Sequence, residues 1–465
     1  MHQRRAHPFM PNSTSAVRAA LLNELGVETA EALFGQIPEA HRFHGDLAQP
    51  PALSEEVALT RHLKSTLAKN RPAGDALSFL GGGIWQHHVP AIVDEIIGRA
   101  EFLTPVWGTP SSDFGRNQAW FEFTSQLGTL LDLELVGLPV YSWGCAAGHA
   151  FRMAARLTGR RTVLVPALMC PERRSVIENY CASVDPAMRI SLVDVPCDAI
   201  GRLDLAALAG LVDSKTAAVY YENPAYLGGL ETGAAAIADM AREAGAETIA
   251  GIDPSCLGVI APPGALGADI AVGTIQPLGI HMSAGGGLGG FIASQDTARY
   301  ALEYPTLLNS LAKTTDGRPA FGLMLFHQSS YGSRELGKDW TGNSTYLWAI
   351  AAAAYMALLG PDGFCELGQV ILARSHAAAR ALAKVPGVQV AAEGGFFKEV
   401  RVDFSTSGNT VAAINAALLE KGIFGGIDLS RLGPGFSQSA LFAFTEVHDE
   451  DDIAKLATAL TEILA

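Results

Sequence analysis

The sequence predicts an α/β protein with a large, mainly parallel sheet, followed by a smaller α+β domain. Two observations support this fold class. Short apolar runs alternate with helical stretches through the first two thirds of the chain. Runs of about four to eight apolar residues separated by helices are typical of parallel strands that are covered on both faces. In the last third, helices and strand-like runs mix without this regular alternation, which favours an α+β arrangement.

The chain is predicted to divide into three parts. At 465 residues it is long enough for more than one domain. Residues 1–75 contain helical patterns separated by proline-rich breaks, so this arm is expected to wrap the main body or a partner. Residues 76–330 are expected to form the large α/β domain, and residues 331–465 the small α+β domain.

The elements of the two domains follow from apolar periodicity. In the large domain, strands are expected at 162–166, 189–195, 217–221 and 247–252, and helices at 172–181 and 234–244. In the small domain, helices are expected at 346–359, 366–384, 410–421 and 451–464, and strands at 388–391, 399–403 and 439–444.

Composition limits the classes of partner. The net charge of −14 disfavours nonspecific binding to nucleic acid. The apolar content of 49% excludes a disordered chain. The charged fraction of only 17% indicates either a surface that partner subunits cover or an ordinary alanine-rich enzyme with a large interior.

The cysteines and the apolar segments predict a cytoplasmic protein. Six cysteines are widely spaced without a CxxC pair, which fits reduced thiols and argues against a metal site. The basic residues near Met1 have no apolar stretch after them, so a signal peptide is not expected. The longest apolar stretch, 346–359, is too short to span a bilayer, and we interpret it as a buried helix.

Polar residues follow several of the predicted strands. Asp253, Asn223 and Gln276 each come directly after a strand-like run. Ligands of parallel sheets bind beyond the carboxyl ends of the strands. We therefore expect these three residues to line one crevice, although Asp253 could also cap the turn before Pro254, and Gln276 could be a buried amide bonded to the backbone.

The turn 141–150 precedes a predicted helix and carries a cysteine and a histidine at helical spacing. Cys145 lies at the helix start, and His149 follows one turn later. A helix N-terminus stabilises a thiolate, so the pair is a candidate nucleophile and base. We favour packing as the alternative, because the sequence shows no third residue to orient the histidine.

A series of short motifs runs along essentially the whole chain. They are Met10–Asn12, Pro50–Glu55, Ser78–Gly83, His87, Val89–Ala91, Phe121–Phe123, Gln276–Ile280, Leu358–Pro361 and Gly425–Leu429. In order and spacing this series resembles subunit 1 of the two-subunit glycine decarboxylase, the P-protein of the glycine cleavage system.

The resemblance implies a fold and a cofactor arrangement. The fold is that of the pyridoxal-phosphate (PLP)-dependent transferases, the aminotransferase fold type I. In such enzymes an aspartate holds the pyridinium nitrogen and a lysine forms the Schiff base. Here Asp253 matches the aspartate, but the lysine region is Gln276-Pro277, which has no primary amine. Cofactor-binding candidates that remain, all noncovalent and vestigial, are Ser142, Trp143, Cys145, Asp253 and Gln276.

The resemblance also implies partners. The family's α subunit pairs with a PLP-bearing β subunit, which decarboxylates glycine or a related amino acid and transfers the aminomethyl group to a lipoyl carrier protein. We therefore expect a hetero-oligomer with PLP in the partner, no covalent PLP on this chain, and no membrane association. Within this chain, His87, Asn223, Arg334 and Glu335 are the expected cleft residues, and Cys145, His149 and Gln276 the catalytic candidates.

Three segments depart from the family pattern, namely 107–115, 141–149 and 333–340. We interpret the first of these as a loop. In the second, Trp143 replaces a glycine, and we expect its side chain to line a cleft. The departures indicate either a specialised paralogue or drift. Two alternatives also stay open: an independent enzyme that uses Ser142, Cys145 and His149 or holds PLP noncovalently, and a purely structural partner.

Overall fold

The structure is a computed structural model. It describes residues 6–7, 9–43, 45, 47–103, 110–283, 288–325, 333, 337–338 and 345–465. The chain separates into two compact units, 1–70 and 71–465. The further division near residue 330 remains a prediction.

The helices and strands are numbered in chain order. The helices are α1 Ser15–Glu24, α2 Glu56–Leu67, α3 Ala91–Ile97, α4 Pro110–Leu131, α5 Trp143–Thr158, α6 Pro171–Cys181, α7 Leu205–Leu211, α8 Ala234–Glu243, α9 Ala298–Ala301, α10 Tyr346–Leu382, α11 Val411–Glu420 and α12 Glu450–Leu464. The strands are β1 Leu77–Ser78, β2 Leu135–Val136, β3 Thr162–Pro166, β4 Ser191–Val195, β5 Thr216–Asn223, β6 Glu247–Ile252, β7 Ile270–Thr274, β8 Gly290–Ser294, β9 Leu308–Lys313, β10 Pro319–Met324, β11 Gln389–Ala391, β12 Glu399–Asp403, β13 Ile423–Phe424, β14 Ile427–Asp428 and β15 Ser439–Ala443.

The first unit contains α1 and α2, with short 3-10 turns between them. The second unit is built on a sheet in the order β2-β8-β7-β6-β5-β3-β4. Strands β4, β3, β5, β6 and β7 run parallel, and β8 and β2 are antiparallel to their neighbours. All eight residues of β5 are buried, as expected for a strand covered on both faces. The predicted α/β fold class is therefore confirmed.

A second sheet lies in the C-terminal region. Its order is β11-β12-β15-β14, with antiparallel pairing throughout. The short strand β1 pairs in parallel with β13, and the carbonyl of Phe79 accepts a hydrogen bond from the N–H of Ala443 at 3.0 Å. Residues 77–80 thus join the C-terminal sheet region, although the sequence placed them at the start of the large domain.

Helix α10 lies in the core. It is broken at Gly360, which has a φ of 56° and directly precedes Pro361. By length and composition it is the one described helix apolar enough to cross a membrane. Ala349 and Ile350 are buried in the core, and Trp120 of α4 donates a hydrogen bond to the carbonyl of Tyr346 at 3.1 Å. The break divides α10 into the two helices that the sequence predicts there.

The segment 107–115 is only in part the loop that we predicted. Helix α4 begins at Pro110 and continues to Leu131, while residues 104–109 lie outside the described residues. Proline at the first helical position is favourable because its missing N–H would have no intrahelical partner there. The loop interpretation was therefore wrong from residue 110 onward.

Candidate functional site

A crevice lies at the carboxyl ends of β5 and β6, and Asp253 is at its base. Asp253 follows β6 directly and begins a 3-10 turn, Pro254–Cys256. Its Oδ1 accepts hydrogen bonds from the N–H and the hydroxyl of Ser255, at 3.1 and 2.8 Å. Its Oδ2 lies 2.7 Å from Nζ of Lys398. The aspartate is therefore both a turn cap and the partner of a cation.

Lys398 is the residue that fills this part of the crevice. It immediately precedes β12, and its side chain is only 1% exposed. Nζ donates to Oγ of Ser255 at 3.2 Å and to Nε2 of His87 at 3.0 Å. The ammonium also lies 3.5 Å from the centroid of the Trp85 ring, a favourable cation–π geometry. A buried charge is expected to be paired and hydrogen-bonded in this way.

His87 connects Lys398 to a buried carboxylate. An ammonium can only donate, so Nε2 of His87 is the acceptor in that pair and Nδ1 carries the ring proton. Nδ1 lies 2.8 Å from Oε2 of Glu446, and the N–H of His88 donates to Oε1 at 2.7 Å. Burial opposes ionisation of Glu446, but the interactions with His87 and His88 hold its pKa at about 2.

A second buried ion pair fills the other side of the crevice. Arg173 of α6 lies 2.5 Å from Oε1 of Glu222 in β5. The hydroxyl of Tyr220 donates to the same Glu222 oxygen at 2.8 Å. Burial raises the pKa of Tyr220, and the charge of Glu222 adds to this, so the phenol remains a donor. The guanidinium lies 3.6 Å from the ring centroid of Trp143.

Trp143 is largely buried and also borders a groove, so the expectation that its side chain lines a cleft stays a prediction. Its side chain is 7% exposed, and Nε1 donates to the hydroxyl of Tyr220 at 3.2 Å. One edge of the indole still borders an open groove of about 430 Å³ at the start of α5. The ring is buried because the guanidinium of Arg173 stacks on one of its faces, a contact that cannot be read from the sequence.

Ser142 starts α5 beside this groove. Its Oγ accepts a hydrogen bond from the N–H of Cys145 at 3.2 Å and so caps the helix. Gly290 of β8 lies so close to the Ser142 carbonyl that a Cβ atom there would clash. This close approach of two backbones fixes the start of α5 against the edge of the sheet.

The space between the two ion pairs does not fit PLP. The residues around the two ion pairs leave a cavity of about 10 Å³, enough for about one water molecule. Small-molecule and cofactor sites are typically about 300 Å³ or larger. Asp253, the expected partner of a pyridinium nitrogen, is already paired with Lys398. Gln276 provides no amine for a Schiff base.

The other predicted site residues lie in separate places. Gln276 is buried, and its Nε2 donates to the carbonyl of Ile280 at 3.2 Å, which is the backbone-bonded arrangement that we considered. The Oδ1 of Asn223 accepts a hydrogen bond from the N–H of Glu231 at 3.1 Å, so it holds a loop beside the crevice. Arg334 and Glu335 lie outside the described residues.

The cysteine and histidine of α5 are placed for packing. Cys145 is buried, and His149 is fully buried with its ring edge-on to Tyr180 at 4.6 Å between centroids. A catalytic base must reach its substrate. The ring of His149 is fully buried and therefore cannot contact one. This geometry favours the packing alternative over a nucleophile and base.

Several residues of the crevice were not predicted as site residues from the sequence. They are Trp85, Arg173, Glu222, Lys398 and Glu446. One signal was present for Lys398, because it follows Phe396-Phe397 and precedes a predicted strand. A lysine inside an apolar run indicates a buried, paired charge. Nothing comparable marked Arg173, which lies in a polar helix start.

Glu399 is a second buried acid beside Lys398, and it predicts a pH dependence of stability. Its Oε1 accepts a hydrogen bond from the N–H of Gly82 at 2.6 Å. Burial raises the pKa of Glu399 from 4.5 to about 7, against opposing effects of Trp85, Gly82 and Lys398. Between pH 4.5 and about 7, the Glu399 carboxyl is ionised in the unfolded chain but keeps its proton in the folded protein. Raising the pH through this window therefore favours unfolding, and the loss is complete above pH 7.

Replacing Glu399 by glutamine should remove this dependence. Glutamine cannot ionise but still accepts from Gly82, so Glu399→Gln should gain up to about 3 kcal/mol over the wild type between about pH 4.5 and 7. Urea unfolding measured from pH 5 to 8 checks this. Glu393→Gln, at an exposed position nearby, is the matched control and should follow the wild-type curve. A Glu399→Gln curve parallel to the wild type would contradict the prediction.

Comparison with known proteins adds an independent line of argument. The family model described as the glycine cleavage system P-protein matches residues 7–460. The chain is 33% identical to the probable glycine dehydrogenase (decarboxylating) subunit 1 of Staphylothermus marinus, covering 99% of this chain and 98% of that protein. It is 35% identical to the protein of the same name from Sphingopyxis alaskensis, covering 96% and 98%.

Solved structures agree with the sequence relatives. A crystal structure of glycine decarboxylase (P-protein) of the glycine cleavage system, in inhibitor-bound form, superposes with a TM-score of 0.88 at 33% identity, covering 98% of this chain and all of that chain. A NifS-like protein superposes with a TM-score of 0.61 at 13% identity, which shows the shared fold alone. The predicted PLP-dependent transferase fold is thereby confirmed. This chain belongs to the glycine cleavage system P-protein family.

Proposed function

We propose that this chain is the subunit of a two-subunit glycine decarboxylase that does not carry the cofactor. In this arrangement a partner subunit holds PLP, and this chain provides interface and the walls around the partner's site. PLP supplies the electron sink for decarboxylation when it is bound. The complex would decarboxylate glycine and transfer the aminomethyl group to a lipoyl carrier protein.

The single observation that carries the proposal is the Lys398–Asp253 ion pair. The carboxylate that would meet a pyridinium nitrogen lies 2.7 Å from a fixed ammonium of the same chain. A second cation at that position would meet like charge in a desolvated site, which is strongly unfavourable. Together with Gln276-Pro277, this pairing supports a chain that takes part in a PLP-dependent reaction without holding PLP itself.

The relatives support a partner subunit. Those named above are called subunit 1 of a decarboxylating glycine dehydrogenase. The alignment with this chain covers 98% of each of them. We also infer a cytoplasmic location, which the six free cysteines favour because reduced thiols are typical of that compartment.

Borohydride reduction of the assembled complex tests the cofactor assignment. The partner is obtained by copurification with this chain, and the complex is reduced and digested for peptide mapping. We expect a pyridoxyl-lysine in the partner and none in this chain, because Gln276-Pro277 stands here in the region of the family's Schiff-base lysine. Unreduced complex is the control. A stoichiometric pyridoxyl-lysine on this chain would refute the assignment.

The same preparation tests the reaction. Exchange of labelled bicarbonate into the carboxyl group of glycine should require both subunits. If the partner alone showed full exchange activity, the role of this chain would be purely structural. Activity from this chain alone would instead support the independent enzyme.

A further inference from the structure

We propose that Asp253, Ser255, His87 and Trp85 form a binding site for a primary alkylammonium ion, and that the side chain of Lys398 is its built-in ligand. This inference concerns the chain by itself and goes beyond the proposed function. It depends on neither PLP nor glycine. We call these four residues the ammonium site.

The site offers two hydrogen-bond acceptors and a counterion to a primary ammonium. An –NH₃⁺ group has three N–H donors. Nζ of Lys398 donates to Nε2 of His87 at 3.0 Å and to Oγ of Ser255 at 3.2 Å, and Oδ2 of Asp253 lies 2.7 Å away as the counterion. The ring of Trp85, with its centroid at 3.5 Å, adds a cation–π contact. A quaternary ammonium would leave His87 and Ser255 without this donor.

The acceptors have partners other than Lys398. Asp253 is held by the N–H and hydroxyl of Ser255. His87 is held by Glu446 at 2.8 Å. Because Asp253 and Ser255 hold each other and Glu446 holds His87, these three groups should persist when the ammonium is no longer attached to residue 398. Preorganisation of this kind lowers the cost of binding a free ligand.

The ammonium joins two sheets. Asp253 and Ser255 follow β6 of the large sheet, whereas Lys398 adjoins β12 of the C-terminal sheet. The contact therefore fixes the start of β12 against the carboxyl end of β6. A free ammonium in the same site should restore the hydrogen bonds at β6 but not the covalent connection to β12.

Chemical rescue tests the proposal on the full-length chain. Lys398→Ala removes three carbons and the ammonium, which n-propylammonium chloride replaces in size and charge. We expect the thermal midpoint of Lys398→Ala to fall by several degrees and then to rise saturably with n-propylammonium. Equal concentrations of n-propanol, tetramethylammonium chloride and sodium chloride should not produce this rise. Titration calorimetry should show one site for n-propylammonium in the variant and none in the wild type.

Two variants serve as controls. Lys421→Ala removes a lysine that forms an exposed pair with Glu462 and should show no rescue. Lys398→Ala combined with Asp253→Asn keeps the cavity but removes the counterion, so it should lose most of the response. An equal response to n-propanol, or a full response in the double variant, would overturn the proposal.

A fallback covers poor folding of Lys398→Ala. The denatured variant is refolded with n-propylammonium or with n-propanol, and the soluble yields are compared. A higher yield with the ammonium supports the site, and equal yields overturn it. Since none of these measurements uses the partner or the decarboxylation reaction, their failure would be distinct from failure of the proposed function.

Discussion

Replacing Lys398 by methionine should lower the free energy of unfolding by about 3–5 kcal/mol. Methionine keeps most of the side-chain length, so the main loss is the charge. Asp253 then remains buried without its counterion, and removing one partner of a buried ion pair is far more costly than removing both. Urea unfolding of the full-length chain at pH 7, followed by circular dichroism, measures the effect.

The double variant Lys398→Met with Asp253→Asn isolates the cause. It removes both charges and keeps the approximate shape, so most of the lost stability should return. Lys421→Met is the surface control and should change stability by no more than about 0.5 kcal/mol. A Lys398→Met variant as stable as the wild type would show that the ion pair does not hold Asp253 in place.

Replacing Trp143 by alanine should cost about 3–5 kcal/mol, the range for truncation of a buried aromatic side chain. The indole is 7% exposed, stacks on the guanidinium of Arg173 and donates to Tyr220. Truncation would leave a cavity beside Arg173 and Tyr220. The midpoint of urea unfolding measures the loss.

Trp143→Phe separates the packing from the hydrogen bond. Phenylalanine keeps an aromatic face for Arg173 but has no N–H for Tyr220, so most of the stability should remain, with a loss nearer 1 kcal/mol. A Trp143→Ala loss below about 1 kcal/mol, together with altered turnover of the assembled complex, would restore the assignment of Trp143 to an open cleft.

The sequence predicted the large sheet well because buried parallel strands leave a local signal. The strands at 162–166 and 247–252 have the predicted bounds. Each is a short apolar run, and such a run needs no knowledge of distant residues to be recognised. The start of α4 was missed because Pro110, Ser111 and Ser112 resemble a turn, although the same residue types suit the first turn of a helix.

The contents of the crevice could not be predicted in the same way. Asp253 was placed at a strand end, but its cationic partner follows more than a hundred positions later, and Lys398 and Ser255 are 143 positions apart. Local patterns do not specify such pairs. The burial of Trp143 could not be predicted for the same reason, since the sequence does not show that Arg173 covers its ring. Burial of a polar group depends on partners that only the fold brings together.

The pairing of β1 with β13 constrains how this protein folds during synthesis. The carbonyl of Ser78 accepts a hydrogen bond from Nε2 of His448 at 2.8 Å, although the two residues are 370 positions apart. Phe79 is fully buried against the C-terminal sheet region in the finished fold. During synthesis, Phe79 cannot form these contacts until the C-terminal region has left the ribosome. Contacts of such long range slow folding, and apolar surface stays open until they form.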